Sequence, residues 1–130
     1  MPIQYEIKNE GHFIEAIATG LVTSSEFVAY EIDHAIDKRV KAPVFELLEI
    51  QYNALKNIQK IDIFEVLSQR KQKERLPVPH RCAIVVSVSD IHGWDLAKFY
   101  EGMVNLHSPE SVIVFGDKYI ALTWLDIKNR

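Results

Sequence analysis

Cysteine is scarce in this chain, and long apolar runs and an excess of positive charge are missing. The single cysteine, Cys82, excludes an intrachain disulfide and a metal site made of several thiolates. No apolar run is long enough to span a membrane. Residues 1–10 lack the apolar core of a signal peptide, so we expect a cytoplasmic protein. The net charge of −3 argues against a nucleic-acid-binding surface.

The composition is that of one folded domain. Hydrophobic residues make up 48% of the chain and charged residues 25%, which is typical of globular proteins. A chain of 130 residues buries a core without disulfides or metals. No internal repeat, low-complexity run or linker divides the sequence. We therefore predict a single domain over residues 1–130.

The most apolar stretch, residues 81–89 (RCAIVVSVS), is the centre of the predicted fold. Its β-branched residues favour a strand over a helix. A strand that is apolar on both sides is usually central in a sheet and covered by other layers.

The rest of the chain predicts the order β-β-α-β-α-β-α-β-α. The strands are predicted at Ile3–Lys8, 12–19, Val44–Ile50, 81–89 and 112–115, and the helices at 23–39, 62–75, 93–106 and 117–127. Residues 9–11 form a predicted hairpin turn, and Thr23 with Glu26 a capping box. Phe27, Val28, Ile32, Ala35 and Ile36 give the first helix its apolar positions. Alternation of strand and helix indicates parallel strands. The fold class is thus α/β, a five-stranded mixed sheet with four helices.

Three segments resemble the STAS / SpoIIAA-like superfamily, the anti-sigma factor antagonists and their bacterial relatives. They are AIVVSVSD (residues 83–90), LAKFYEG (96–102) and VIVFGDKYIALTWL (112–125). The resemblance implies a hairpin followed by βα units, and regulation through protein–protein interaction instead of catalysis.

The phosphorylation switch of that superfamily does not carry over. The true antagonists are phosphorylated on a serine at the start of the second helix, whereas residues 51–67 here contain no serine or threonine. Ser68 lies well inside the predicted helix. We therefore expect a non-enzymatic STAS-like interaction domain that lacks the switch. Phosphorylation elsewhere, at Thr23, Ser24 or Ser25, stays open.

Polar residues follow the predicted parallel strands, at the sheet edge where binding sites commonly lie. The candidate binding residues are Gln51, Tyr52, Asn53, Ser89, Asp90, His92 and Trp94. Helix capping accounts for many polar residues at such positions. A catalytic site made of Ser89, Asp90 and His92 is the enzyme alternative. It is disfavoured because three residues of one short loop seldom reach the geometry of a nucleophile and its base.

Other charged residues give weaker indications. Glu15, Glu46 and Glu49 lie on predicted strands, where they either face one another as paired carboxylates that bind a cation or mark a solvated sheet face; the solvated face is favoured. No metal ion or cofactor is predicted. Four basic residues, Arg70, Lys71, Lys73 and Arg75, suit a helix C-terminus or an anionic partner. Cys82 is expected to be a buried, inert thiol.

Two further expectations concern partners. The amphipathic first strand would be an edge open to pairing, and a singly wound sheet leaves one face incompletely covered, so a homodimer is predicted. The aromatic residues of the third helix are expected to pack in the core, with Trp94 the most exposed of them. An apolar pocket near Trp94 and Tyr100 would alternatively make the protein a carrier of a small ligand or lipid.

Overall fold

The computed structural model describes residues 2–73 and 79–127, without the side chains of residues 70–73. It contains a five-stranded mixed sheet and four helices, which confirms the predicted fold class. The elements are β1 (Ile3–Lys8), β2 (Phe13–Ala18), α1 (Ser24–Ile36), β3 (Val44–Ile50), α2 (Lys60–Lys73), β4 (His80–Val86), α3 (Ile91–His107), β5 (Ser111–Phe115) and α4 (Lys118–Trp124). The predicted basic cluster at the end of α2 lies outside the described side chains.

The strand order is β1-β2-β3-β4-β5, with β1 antiparallel to β2 and all other neighbours parallel. Each crossover moves one strand in the same direction, so right-handed connections place α1, α2 and α3 on one face. That face carries the larger apolar core, which includes Leu48, Ile84 and Leu96. β1 is an edge strand, as predicted.

The opposite face is covered in part by α4. Ala121 and Leu125 of that helix pack with Phe13 and Leu47 of the sheet. The β1 side of this face is polar and holds the ion pair between Lys8 and Glu15, whose Nζ and Oε1 atoms are 2.6 Å apart. The part of this face that α4 leaves uncovered therefore carries charged side chains that contact solvent.

The helix caps were better predicted than the helix boundaries. Thr23 and Glu26 form the predicted capping box, and Asp117 caps α4. However, α2 begins at Lys60, two residues before its predicted start at Asp62. Helix α3 begins at Ile91, two residues before its predicted start at Gly93, because Asp90 caps it. The predicted last helix ends early, because Asp126 adopts a left-handed backbone with φ of 59°.

Strand β4 ends at Val86, so the predicted run through residue 89 was too long. Residues 87–90 form a turn, closed by the hydrogen bond from the Asp90 N–H to the Ser87 carbonyl. The hairpin turn at residues 9–11 is confirmed as a single 3₁₀ turn.

The predicted inward faces of the helices were partly wrong. Ile36, which the sequence placed on the apolar side of the first helix, is exposed, and so are Phe64 on α2 and Ile120 on α4, where their helical spacing with buried neighbours predicts an inward position. The largest difference is in α1, whose buried residues are Tyr30, Glu31 and His34. This helix turns a polar side toward the sheet, because polar partners on the strands meet it there.

No helix among the described residues is long and apolar enough to cross a membrane.

Candidate ligand pocket and buried polar cluster

The residues predicted at the carboxyl edge of the sheet do lie there, but most of them stabilise loops. Asp90 is 5% exposed and accepts a hydrogen bond from the Gly93 N–H at 3.1 Å and another from the Asn53 N–H at 3.0 Å. It therefore caps α3 and ties the loop after β3 to the loop after β4. Asn53 has a left-handed backbone, with φ of 66°. The side chains of Gln51 and Tyr52 are exposed.

The alternative catalytic trio is not assembled. Ser89 Oγ contacts Ser87 Oγ at 2.8 Å, whereas His92 Nε2 faces the Ile58 carbonyl oxygen at 2.7 Å. Within the described residues, no hydrogen bond joins Ser89 to His92. Asp90 is engaged by two backbone N–H groups and does not orient the imidazole.

Replacement of Asp90 by alanine tests this structural role. The change leaves the N–H groups of Gly93 and Asn53 without their acceptor, and we expect the free energy of unfolding to fall by about 2 kcal/mol. Urea denaturation measures it. Asp95→Ala is the control, because Asp95 lies on the same helix with an exposed side chain and a 3.8 Å contact to Lys60; it should change stability by less than about 0.5 kcal/mol. An Asp90 variant as stable as the control would refute the capping role.

An apolar pocket lies between the three-helix layer and the sheet. The volume of its cavity is about 40 Å³; the space between atoms comes to about 450 Å³ when the open mouth and adjoining solvent are counted. Nine apolar residues and two polar ones line it: Phe27, Leu48, Ile50, Leu55, Ile63, Val66, Ile84, Leu96, Ala97, Glu31 and Tyr100. Tyr100 was predicted to border such a pocket. Trp94 is not among the described lining residues; it is half-buried and packs against the same core.

The two polar lining residues are joined to each other at one end of the pocket. The Tyr100 hydroxyl donates to Glu31 Oε1 at 3.0 Å. The other oxygen of Glu31 lies 3.3 Å from His34 Nε2. The apolar pocket thus ends at a hydrogen-bonded polar group, and that group continues into the protein interior.

Glu46 is the centre of the buried polar cluster. This carboxylate on β3 is 1% exposed and accepts hydrogen bonds from the Tyr30 hydroxyl and from His80 Nε2, the latter at 2.9 Å. His34 Nε2 approaches it to 3.7 Å, and His80 Nε2 lies 3.9 Å from Glu110 Oε2. We define the buried polar cluster by these contacts; its members are Tyr30, Glu31, His34, Glu46, His80 and Glu110.

The ionisable groups of the buried polar cluster shift one another's pKa values. Burial opposes ionisation of Glu46, but the charge of His34 and the hydrogen bond from His80 hold the pKa of this carboxyl below its usual range. Burial likewise opposes protonation of His34, yet Glu46 and Glu31 raise the pKa of that imidazole to about 9. The pKa of His80 is raised by the Glu46 hydrogen bond and by Glu110 against the effect of burial. Glu46 is therefore ionised at neutral pH beside the cationic imidazole of His34.

The three strand glutamates do not share one face. Glu15 and Glu49 lie on the α4 side and pair with Lys8 and Lys118. Glu46 lies on the other side, because residues 46 and 49 are an odd number apart on one strand and must point to opposite faces. The three carboxylates therefore cannot form one site. The predicted solvated sheet face is correct for Glu15 and Glu49 but wrong for Glu46.

The buried polar cluster was missed by sequence reasoning, although two signals pointed to it. Glu46 has the same parity as the buried Val44, Leu48 and Ile50, which places a charged residue on the core side of a strand. Glu31 and His34 are spaced i, i+3 and therefore share one face of α1.

No protein-family model, curated protein or solved structure matches this chain.

Proposed function

We propose that this protein is a non-enzymatic cytoplasmic binding domain that holds a small, mainly apolar molecule in the pocket under α1, α2 and α3. The pocket itself supports this proposal. Ligand sites are typically concave, mostly apolar and provided with a few convergent polar groups, and nine apolar walls with Glu31 and Tyr100 at one end match that description.

The polar end of the pocket favours a particular ligand chemistry. Glu31 Oε1 accepts the Tyr100 hydrogen bond, and the lining residues that the structure describes include neither lysine nor arginine. A ligand hydroxyl or ammonium group can donate to these oxygens. A ligand carboxylate would meet the like charge of Glu31, which is costly in an apolar surrounding. The expected ligand is thus an apolar chain or ring that ends in a hydrogen-bond donor.

Titration with three ligands of equal chain length tests the ligand chemistry. We expect a medium-chain primary alcohol and the matching amine to bind at least about tenfold more tightly than the matching carboxylate, since one charge-assisted hydrogen bond is worth about 1.5–3 kcal/mol. Tryptophan fluorescence and native mass spectrometry, both in the presence of EDTA, report binding. Tightest binding of the carboxylate would contradict the assigned polarity, and failure of all three to bind would contradict the pocket.

A second candidate is the STAS-like regulatory interaction domain that the sequence resemblance implies. Exposed apolar side chains on loops and helix starts that follow the parallel strands favour it. They are Tyr52, Val88, Ile91 and Tyr119, with exposed fractions of 61%, 69%, 80% and 80%. Exposed apolar groups of this kind are typical of surfaces that bind other proteins.

A homodimer through this surface is the simplest form of that second candidate. Sedimentation equilibrium should then show a concentration-dependent dimer. We expect the double replacement Ile91→Asp and Tyr119→Asp to weaken it by tenfold or more, because two buried apolar groups of about 1.5–3 kcal/mol each would be lost. Leu106→Asp, at another exposed apolar position (76% exposed), is the control. A wild-type monomer at the highest attainable concentration would exclude self-association.

A further inference from the structure

We propose that Glu31, His34 and Glu46 bind one divalent transition-metal ion of the zinc type. Apart from the disfavoured cation site of Glu15, Glu46 and Glu49, no metal site was predicted from the sequence, and the inference goes beyond the proposed function. It would stand even if the pocket held no organic ligand, because all three metal ligands are side chains of this chain.

The spacing of the three ligand atoms suits such an ion. His34 Nε2 lies 3.3 Å from Glu31 Oε2 and 3.7 Å from Glu46 Oε2. One ligand atom from each residue lies within 4.8 Å of the others. Bonds of about 2.0–2.1 Å in tetrahedral geometry separate two ligand atoms by about 3.3 Å. Both separations from His34 Nε2 lie within about 0.4 Å of that value.

Rigid elements present the ligands from two sides. Glu31 and His34 project from one face of α1 at i, i+3, and Glu46 projects from β3 beneath the helix. A Glu-x-x-His pair on a helix, combined with further carboxylates, is the arrangement by which helical bundles hold metal ions. Ligands on a helix and a strand are held more accurately than ligands on loops.

Several carboxyl groups of the cluster lie close together in the protein interior. Glu31, Glu46 and Glu110 place three carboxyl groups in one buried region, with exposed fractions of 7%, 1% and 4%. His80 donates to Glu46 Oε1 and would orient that ligand in the way that outer hydrogen-bond partners orient metal ligands. His80 Nδ1, the ring nitrogen that does not contact Glu46, is buried and has no hydrogen-bond partner among the described residues.

The proposed metal site adjoins the pocket, because Glu31 lines the pocket and is also a proposed ligand. A second group, Glu46, Cys82 and Glu110, has similar ligand spacing. Neither Cys82 nor Glu110 is among the described lining residues, so the Glu31 group is the one next to the pocket.

The ligand types select the class of metal. A neutral imidazole with two carboxylates suits Zn²⁺ and neighbouring transition metals, so His34 releases its proton to solvent when the ion binds. Mg²⁺ and Ca²⁺ prefer all-oxygen sites. Zn²⁺ is therefore the ion that tests the proposal, and Mg²⁺ the ion expected to bind far more weakly.

The experiment is a titration of the EDTA-treated and desalted full chain with Zn²⁺, followed by calorimetry and native mass spectrometry. We expect one ion per chain in the wild type, and a loss of affinity of about 100-fold or more in Glu31→Gln and in His34→Gln. His92→Gln, which changes an exposed imidazole, should bind as the wild type does. Circular dichroism establishes that each variant is folded.

Wild-type protein that binds no Zn²⁺ would overturn the proposal, and so would Zn²⁺ binding that both ligand variants retain. If the variants fail to fold, the visible spectrum of the Co²⁺-loaded wild type shows whether the ion is four-coordinate and buried. Strong absorption bands indicate a four-coordinate buried ion and support the proposal. The weak bands of a six-coordinate, largely hydrated ion would overturn it. The alcohol, amine and carboxylate titrations are made in EDTA and therefore do not depend on metal binding. A protein that fails to bind Zn²⁺ can thus be distinguished from one that fails to bind the organic ligands.

Discussion

Replacing Glu46 with alanine should lower the free energy of unfolding by about 3–5 kcal/mol. The carboxylate is 1% exposed and is shared by Tyr30, His80 and, at a longer distance, His34. Its removal leaves two buried imidazoles and a buried hydroxyl without the group that compensates them. A loss of this size is a large fraction of the 5–15 kcal/mol that stabilises an ordinary domain. Urea denaturation at neutral pH in EDTA measures it.

Glu49→Ala is the matched control for that experiment. Glu49 lies on the same strand but on the opposite face, where it is only partly buried and pairs with Lys118 at 3.0 Å. Partly exposed ion pairs contribute up to about 1 kcal/mol. Equal effects of the two replacements would show that Glu46 does not organise a buried network, and would also remove the basis for the metal site.

Replacing Ala97 with phenylalanine should abolish ligand binding while the domain stays folded. Ala97 lies on α3, is 4% exposed and lines the pocket, so a phenyl group at this position would occupy the space that the ligand needs. We expect affinity for the medium-chain alcohol to fall by at least about 100-fold, which corresponds to about 2.7 kcal/mol. The strain of the added side chain should cost about 1–3 kcal/mol of stability. The fluorescence titration measures binding, and circular dichroism measures folding.

Gly102→Phe is the control for the pocket replacement. Gly102 lies on the same helix, is exposed, and has no atom within 4 Å of the position that an added Cβ would take. This variant should bind the alcohol as the wild type does. Wild-type affinity in the Ala97 variant would mean that the ligand binds elsewhere.

Much of the fold could be predicted because local patterns specify it. Alternation of apolar and polar residues indicated β1, and the polar groups of Thr23 and Asp117 marked the helix starts. Boundaries failed where a tertiary interaction decides. Asp90 caps α3 while it also accepts a hydrogen bond from Asn53, which lies 37 residues earlier in the chain.

The candidate site could not be predicted from the same patterns. Hydrophobic spacing assigned the inward side of α1 to residues such as Ile36, whereas the helix buries Glu31 and His34. Polar residues are favourable inside only when partners meet them, and the partners here lie on β3 and β4. Glu46 and His80 become neighbours through strand pairing, with the Cα of Glu46 opposite that of Cys82. The sequence alone does not determine the register of β3 against β4.

Methyl NMR of the domain during titration with the medium-chain alcohol tests the central claim most directly. We expect the methyl signals of Leu48, Ile84 and Leu96, which line the pocket, to shift strongly. Those of Leu47 and Leu125, in the core on the opposite face, should stay in place. Shifts confined to the exposed side chains Val88 and Ile91, or no shifts at all, would contradict a ligand site between the helices and the sheet.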